Sequence, residues 1–276
     1  MNLVFLALVG CGDVTPGEMV LGDEVSAEIL KGSTGFGRSL ALFGEHVLVT
    51  EPLQFGEWKA EALTPLEMGE ARVVGHNGDF FWAWMSDGDV VTVPDGEVIA
   101  TAKSASGIDV CPDGEIVSVY GPGESIDCAV AGVLWSRCEG SACSILVDDG
   151  PVLDTVSPGG DLSWNGDVAC WGDPSLSKEQ AAGRVACSDG TEVIGMKGDH
   201  LGLTIAGGIG AGRYNRHIVP PRLRMVSIQG GATWLIDQAA ENSRVSIDSD
   251  QGTVAVGVAK FRQGASGGRV FIVKEQ

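Results

Sequence analysis

Short apolar runs separated by turn residues fill most of the chain. In the clearest example, two apolar segments at residues 39–43 and 46–50 flank the pair Gly44-Glu45. Apolar residues bounded by turn residues at both ends are typical of a β-hairpin. Similar runs follow to the end of the chain, with Asp-Gly or Asn-Gly pairs between them at 87–88, 95–96, 113–114 and 165–166. The pattern predicts an all-β chain of short antiparallel strands.

These units recur with a period of about 40 residues, and most contain three or four strands, which is typical of a β-propeller. The best count is about six blades, and seven is the alternative. In this count the first unit includes a strand over residues 71–74. The third unit begins near Gly107 and extends through residues 144–147.

The two ends of the repeat region complement each other. A single strand over residues 25–30 precedes the first unit, and the last unit has only three strands. We expect this N-terminal strand to complete the last blade and close the ring, because closure removes an exposed sheet edge. A pair of β-sandwich domains would explain the number of strands, but not the single strand at one end and the short unit at the other.

The first residues have the pattern of an export signal. A short apolar run ends in Leu8-Val9-Gly10-Cys11, which resembles the lipobox of bacterial lipoproteins. The resemblance implies a signal peptide over residues 1–10, cleavage before Cys11 and acylation of Cys11. Residues 11–24 then form the lipidated cysteine and its tether, and residues 25–276 form the propeller. The alternative is a buried first strand with a structural cysteine.

The predicted cellular location and the net charge of the chain limit the kinds of partner that it can bind. Gly12 follows Cys11 where an Asp would resemble an inner-membrane retention signal, so we expect the outer membrane or cell surface, with membrane contact only through the lipid. The formal net charge is -19, and such a chain repels nucleic acid and anionic membrane surfaces. The simplest interpretation of this negative charge is that it keeps the chain soluble. The alternative interpretation is that it binds cations.

Six of the seven cysteines lie in the middle of the chain. In an exported protein an even set of cysteines favours disulfides. Equal separations suggest Cys111–Cys128 and Cys170–Cys187, and a short loop suggests Cys138–Cys143. Other connectivities are open at this point, and a zinc site is a rival that lacks the usual ligand spacing.

Three segments, residues 35–39, 253–257 and 268–272, resemble the FG-GAP repeat, the blade unit of integrin α-chain propellers and of many bacterial surface proteins. Residues 35–39 match its opening, and residues 253–257 and 268–272 resemble its later strands. Integrin-type repeats often carry a calcium loop, and here Asp248 and Asp250 are the corresponding candidates. The later acidic ligand is missing, and calcium needs six or more oxygens. The alternative is a polar hairpin turn.

Two further features are candidates for ligand binding. Residues 207–224 gather basic side chains that could grip a carboxylate, sulfate or phosphate group. Alternatively, these side chains pair with neighbouring acids. Trp58 lies among charged residues, and we expect it to be exposed and able to anchor a sugar or a partner. The basic candidates are Arg213, Arg216, His217, Arg222 and Arg224.

No nucleophile elbow or metal-binding histidine pair occurs in the sequence. The sequence therefore predicts a non-catalytic lipoprotein of the bacterial cell envelope, which binds or scaffolds a protein or glycan partner through a propeller face. It predicts no cofactor, with calcium as the one candidate. A glycan-acting hydrolase and a purely structural assembly module are the alternatives, because propellers host many functions.

Overall fold

The computed structural model describes residues 18–20, 28–31, 36–50, 52–60, 62–175, 182–195, 200–206, 209–214, 222–227, 233–236, 244–259 and 267–274. Every regular element in these ranges is a strand. The first ten are β1 (Glu18–Val20), β2 (Glu28–Lys31), β3 (Leu40–Phe43), β4 (His46–Val49), β5 (Gln54–Glu57), β6 (Thr64–Pro65), β7 (Ala71–His76), β8 (Phe81–Met85), β9 (Asp89–Val93) and β10 (Val98–Thr101).

The next ten strands are β11 (Gly107–Val110), β12 (Ile116–Val119), β13 (Ser125–Ala129), β14 (Gly132–Glu139), β15 (Ala142–Val147), β16 (Val152–Val156), β17 (Leu162–Trp164), β18 (Ala169–Asp173), β19 (Arg184–Cys187) and β20 (Glu192–Ile194). The last seven are β21 (Thr204–Ala206), β22 (Ile209–Tyr214), β23 (Arg222–Ser227), β24 (Thr233–Ile236), β25 (Arg244–Asp250), β26 (Thr253–Ala259) and β27 (Arg269–Lys274). The predicted all-β class is confirmed.

The strands form a β-propeller, as predicted. Five sheets in the described ranges have the four strands of a regular blade: β3–β6, β7–β10, β13–β16, β17–β20, and β25–β27 with β2. Two further sheets are irregular, because β11–β12 has two strands and β21–β24 gains β1 as a fifth. The prediction of about six blades is therefore wrong, since five regular blades are present.

The predicted and observed numbers of blades differ because two of the predicted boundaries between blades are wrong. The strand predicted over residues 71–74 is β7, which opens the second sheet instead of ending the first. The predicted third unit is divided into the two-stranded sheet and the β13–β16 sheet. Neighbouring hairpins have the same local pattern, so the sequence does not mark which strand lies nearest the propeller axis.

The first hairpin shows why its residues form strands that are buried on both faces. Phe43 pairs with His46 across the predicted Gly44-Glu45 turn, and Gly44 has a φ of 59°, which favours glycine. Leu42 packs in a core cluster with Ile272 of the last sheet, and Leu48 packs in another cluster of residues from the first two sheets. Alternate side chains therefore bury themselves against different neighbouring sheets.

All three predicted disulfides are confirmed. Cys138–Cys143 and Cys170–Cys187 join register partners on adjacent strands, β14–β15 and β18–β19. Cys111–Cys128 instead joins the residue after β11 to β13, and so links the two-stranded sheet to its neighbour. The first two bridges fasten hairpins, and the third fastens one sheet to the next.

Glu28–Lys31 forms the outermost strand of the last sheet, where β2 pairs antiparallel with β27. Leu30 is buried in the cluster shared by the first and last sheets. Within the described residues, no helix is long and apolar enough to span a membrane. Cys11 and the signal-peptide residues lie outside the described ranges.

Candidate functional site

A cavity of about 750 Å³ occupies the centre of the propeller. The first strand of each of the seven sheets contributes to its wall, and Trp82 of β8 adds to it: these first strands are β3, β7, β11, β13, β17, β21 and β25. These strands lie side by side around the axis, with β25 next to β3. A cavity of this size falls within the range of small-molecule sites.

The cavity opens where the first strand of a sheet turns into the second. Asp79, Val130 and Asn165 belong to three such turns, are exposed and line the cavity. Val130 is 91% exposed, although valine is an apolar residue. This end of the cavity therefore offers both polar and apolar surface to a ligand or partner.

Four aspartates carry most of the charge of the cavity wall: Asp109, Asp127, Asp161 and Asp248. Each accepts a backbone N–H from the first strand of the next sheet. The donors are Cys128 to Asp109 at 2.8 Å, Trp164 to Asp127 at 2.5 Å, Ile205 to Asp161 at 3.0 Å and Leu42 to Asp248 at 2.7 Å.

A neutral side chain makes the same kind of connection between the first two sheets. Ser39 Oγ accepts the N–H of Val74 at 3.1 Å, which links β7 to the residue before β3. The acceptors are thus structural links between sheets as well as a wall of the cavity. An intramolecular hydrogen bond contributes roughly 0.5–1.5 kcal/mol, and more when the acceptor is charged, so these links are a substantial part of the contact between sheets.

Burial raises the pKa of Asp109 to about 7, because the charged carboxylate loses hydration. The N–H groups of Val110 and Cys128, and a hydrogen bond with the side chain of Asp127, partly oppose this rise. The pKa of Asp127 is also raised well above its ordinary value, first by burial and then by the charge of Asp109. The two carboxyl groups interact directly, so they share protons rather than ionise independently.

Burial is also the main influence on the pKa values of the other two aspartates, Asp161 and Asp248. Burial raises the pKa of Asp161, and the N–H of Ile205 partly opposes the rise. Burial also raises the pKa of Asp248, while His76 lowers it. The side chain of Asp248 keeps 24% of its exposure, but this surface faces the cavity instead of open solvent. The wall is therefore less negative near neutral pH than its four carboxyl groups suggest.

The raised pKa of Asp109 predicts a pH-dependent stability. Between its ordinary value of 3.8 and its folded value of about 7, the folded state binds more protons than the unfolded state, so stability falls as pH rises. We expect the urea midpoint of the parent to be higher at about pH 5 than at about pH 8. Asp109→Asn keeps an oxygen acceptor for Cys128 but has no titrating proton.

The comparison of the two proteins separates the titration of the Asp109–Asp127 pair from that of the other acids in the chain, because Asp109 also affects the pKa of Asp127. We expect the midpoint of Asp109→Asn to fall less between the two pH values, and to exceed the parent midpoint at the higher one. Identical pH profiles for parent and variant would show that Asp109 titrates at its ordinary value.

His76 and two tryptophans stand beside the carboxyl groups. His76 Nε2 lies 3.6 Å from Asp248 Oδ2, and the imidazole stacks on Phe43 with ring centroids 5.1 Å apart. Trp82 and Trp164 also line the cavity, where Trp82 is buried and Trp164 is half-buried. Aromatic surface next to polar groups is the arrangement that binds the faces and hydroxyls of sugars.

The structure corrects the prediction for Trp58. This side chain is only 4% exposed and belongs to the core between the first and last sheets. Its Nε1 donates to the carbonyl of Gly44 at 3.3 Å, and Lys59 lies over the ring. Lys59 thus helps to cover the ring, so a charged neighbour in the sequence does not mark Trp58 as exposed.

Asp248 and Asp250 are not arranged as a calcium loop. Both lie in β25, and their carboxylates accept the N–H groups of Leu42 and Gly44 in the first sheet. Across the described part of the chain, no group of three or more His, Cys, Asp or Glu side chains could hold a metal ion. The two aspartates instead connect the last sheet to the first.

The predicted basic cluster is only partly described. Arg213 lies in β22, and Arg222 and Arg224 lie in β23, where their backbones pair across the hairpin. The side chains of these three residues, and all of Arg216 and His217, lie outside the described part of the structure. Strand directions alternate across a sheet, so β23 begins at the end opposite the cavity mouth. The structure therefore does not bring Arg222 to the mouth.

The acidic wall was missed by the sequence analysis, although a signal was present. The pair Ile-Asp occurs inside the first strand of a sheet at 108–109, 126–127 and 247–248, and once more at 236–237. An acid in the middle of a strand that is otherwise buried is costly unless it is hydrogen-bonded. Its repetition at the first strand of several sheets could have marked the cavity.

Comparison with known proteins gives no family. No family model matches the chain, and no curated protein matches it. Solved structures with a similar arrangement include the PQQ-bound aldose sugar dehydrogenase from Streptomyces coelicolor, at 10% identity, 91% coverage of this chain, 99% of that chain and a TM-score of 0.47. Sqt1 from Saccharomyces cerevisiae is 9% identical over 90% of this chain and 98% of that chain, with a TM-score of 0.46.

The WD40 β-propeller domain of Doa1 is 10% identical over 90% of this chain and 97% of that chain, with a TM-score of 0.46. At such low identities and TM-scores these similarities carry no inference about function. What the site does must be argued from its own residues.

Proposed function

We propose that this chain is a non-catalytic binding protein of the bacterial cell envelope, which takes part of a glycan into the central cavity. The observation that carries the proposal is the cavity wall, where carboxyl groups with raised pKa values stand beside Trp82 and Trp164. The Asp109 carboxyl group, whose pKa is about 7, is present in both its protonated and its ionised form near neutral pH, so it can donate as well as accept hydrogen bonds, which suits hydroxyl-rich ligands. The half-buried Trp164 provides a flat apolar surface for a sugar ring.

Anchoring and ring closure are further parts of the proposal. The lipobox resemblance at residues 8–11 supports acylation of Cys11 and attachment to the outer membrane or cell surface. The pairing of β2 with β27 supports closure of the ring by an N-terminal strand. The FG-GAP part of the proposal rests on the sequence of residues 35–39, 253–257 and 268–272, and in the structure Gly37 lies against Gly257 and Arg269 of the other two segments. A protein partner that covers the mouth around Val130 is the alternative ligand.

A calorimetric titration with chitotetraose tests the proposed function. This probe is neutral and carries both hydroxyl and amide groups. We expect it to bind the parent, and to bind Trp164→Ala at least about tenfold more weakly. Trp135→Ala is the matched control, because Trp135 is equally half-buried but lies outside the cavity, beneath Arg137. Equal weakening by both variants, or no binding to the parent, would contradict the proposal.

The pair of carboxyl groups of Asp109 and Asp127 supports a second candidate function, that of a glycan hydrolase. A carboxyl group with a pKa near 7 could act as a general acid, and Asp127 is its direct neighbour. However, such enzymes hold one carboxyl group ionised beside the acid, and burial disfavours the ionised form of each of the four cavity aspartates. Product analysis after incubation with chitotetraose separates the candidates. Shorter products that disappear in Asp127→Asn would favour the hydrolase.

A further inference from the structure

Within the described ranges, the two-stranded sheet β11–β12 lacks the third strand that the other sheets have beside their second strand. In the first sheet β4 is covered by β5, and in the fourth four-stranded sheet β18 is covered by β19. β12 has the same position next to the first strand, but no strand in the described ranges pairs with its outer edge.

The register shows which backbone groups this edge presents. Asp109 pairs with Val117, and Cys111 N–H donates to Glu115 O at 2.8 Å. Odd-numbered residues of β12 therefore point their backbone polar groups towards β11. Because these groups alternate along an antiparallel strand, Ile116 and Ser118 point theirs outward. This edge can bind the backbone of one more extended chain.

β12 also lacks the features that protect other outer strands. β6 contains Pro65, and β10 and β16 have irregular registers with β9 and β15. Proline and bulges are common devices that prevent edge-to-edge pairing. β12 reads Ile-Val-Ser-Val and has a regular register with β11, with no proline and no charge. It is therefore the least protected of these edges.

The surroundings of the edge indicate the chemistry of the occupant. Asp113 and Glu115, in the turn that leads into β12, are both exposed acids. At the other end Tyr120 is 66% exposed. Carboxylates and an exposed aromatic ring both attract lysine and arginine side chains, the ring through cation–π contact. The net charge of -19 adds to this attraction at long range.

We propose that the outer edge of β12 binds an extended, basic peptide segment of a partner protein as a third strand of the two-stranded sheet. The outer edge of β12 faces away from the cavity, because β11 lies between β12 and the propeller axis, and only the turn before β12 reaches the cavity, through Pro112. The peptide backbone bonds to Ile116 and Ser118, and its basic side chains face Asp113, Glu115 and Tyr120. This interaction does not depend on the glycan proposal.

The test uses an acetylated and amidated hexapeptide of alternating lysine and valine, titrated into the full chain by calorimetry. We expect binding to the parent, binding at least about tenfold weaker to Ser118→Pro, and unchanged binding to the control Ser118→Ala. Proline removes the outward N–H, whereas alanine removes only the hydroxyl. The same hexapeptide with N-methylated backbone groups keeps its charge, and we expect it not to bind.

Hydrogen exchange in the parent provides a readout that does not depend on folding of the proline variant. We expect the hexapeptide to slow exchange of the Ile116 and Ser118 amides. Binding of the N-methylated peptide with equal strength, or protection elsewhere, would overturn the proposal. So would a parent that does not bind the hexapeptide, or a dimer of the chain that Ser118→Pro dissociates, because a second copy would then occupy the edge.

Discussion

Replacing Gly257 with alanine is expected to lower the stability of the propeller by about 3 kcal/mol. A β-carbon at this position in β26 would overlap the backbone carbonyl of Gly37 and the hydroxyl of Ser246. Gly37 cannot move away freely, because its N–H donates to Thr50 O and its carbonyl accepts from Ser246 Oγ. For a chain of this size, the loss corresponds to a decrease of roughly 5–10 °C in Tm.

Gly56→Ala is the matched control for this substitution. Gly56 also lies in a strand, but a β-carbon there would meet Leu63 at 3.5 Å, which is ordinary contact. We expect its Tm to stay close to that of the parent in thermal unfolding. If Gly257→Ala and Gly56→Ala unfold at the same temperature, the first and last sheets are not in the close contact described here.

Removal of the Cys170–Cys187 bridge is expected to have a similarly large effect. Its sequence separation is 17, and closing a loop of this length stabilises the folded state by about 3 kcal/mol in the chain-entropy model. The double substitution Cys170→Ala with Cys187→Ala should therefore lower the denaturant midpoint of unfolding. The measurement is a urea titration of parent and variant without reductant.

The Cys138–Cys143 bridge is the internal comparison, because its sequence separation is only 5. The same model gives about 2 kcal/mol for this shorter loop. We therefore expect the paired alanine variant of this bridge to be more stable than the variant that lacks Cys170–Cys187. The opposite order would show that loop length does not govern how these disulfides stabilise the chain.

The sequence predicts best the structural features that depend on spacing along the chain. The cysteine separations identified the three bridges, and the turn pairs identified most hairpins, because both depend on neighbours in the chain. Blade number was not predictable in this way. A four-stranded blade and the two-stranded sheet at residues 107–119 begin with the same kind of hairpin, and only tertiary pairing tells them apart.

In the candidate site, too, the features that depend on tertiary packing are not predictable from local sequence. Trp58 lies among charged residues but is buried, since exposure depends on which sheet packs against a strand. Asp109, Asp127, Asp161 and Asp248 are far apart in sequence and meet only because each belongs to, or directly precedes, the first strand of a sheet. Asp248 has the position of a calcium-ligand candidate in the sequence, and in the structure its carboxylate accepts the N–H of Leu42.

The most direct test of the central claim is a crystal structure of the chain grown with chitotetraose. We predict a sugar ring stacked on Trp164 inside the cavity, with a hydroxyl or amide group within hydrogen-bonding distance of the Asp127 carboxyl group. That result would establish the cavity as the binding site of the propeller. Sugar bound only outside the cavity, for example beside residues 207–224, would contradict the claim and return attention to the arginine cluster.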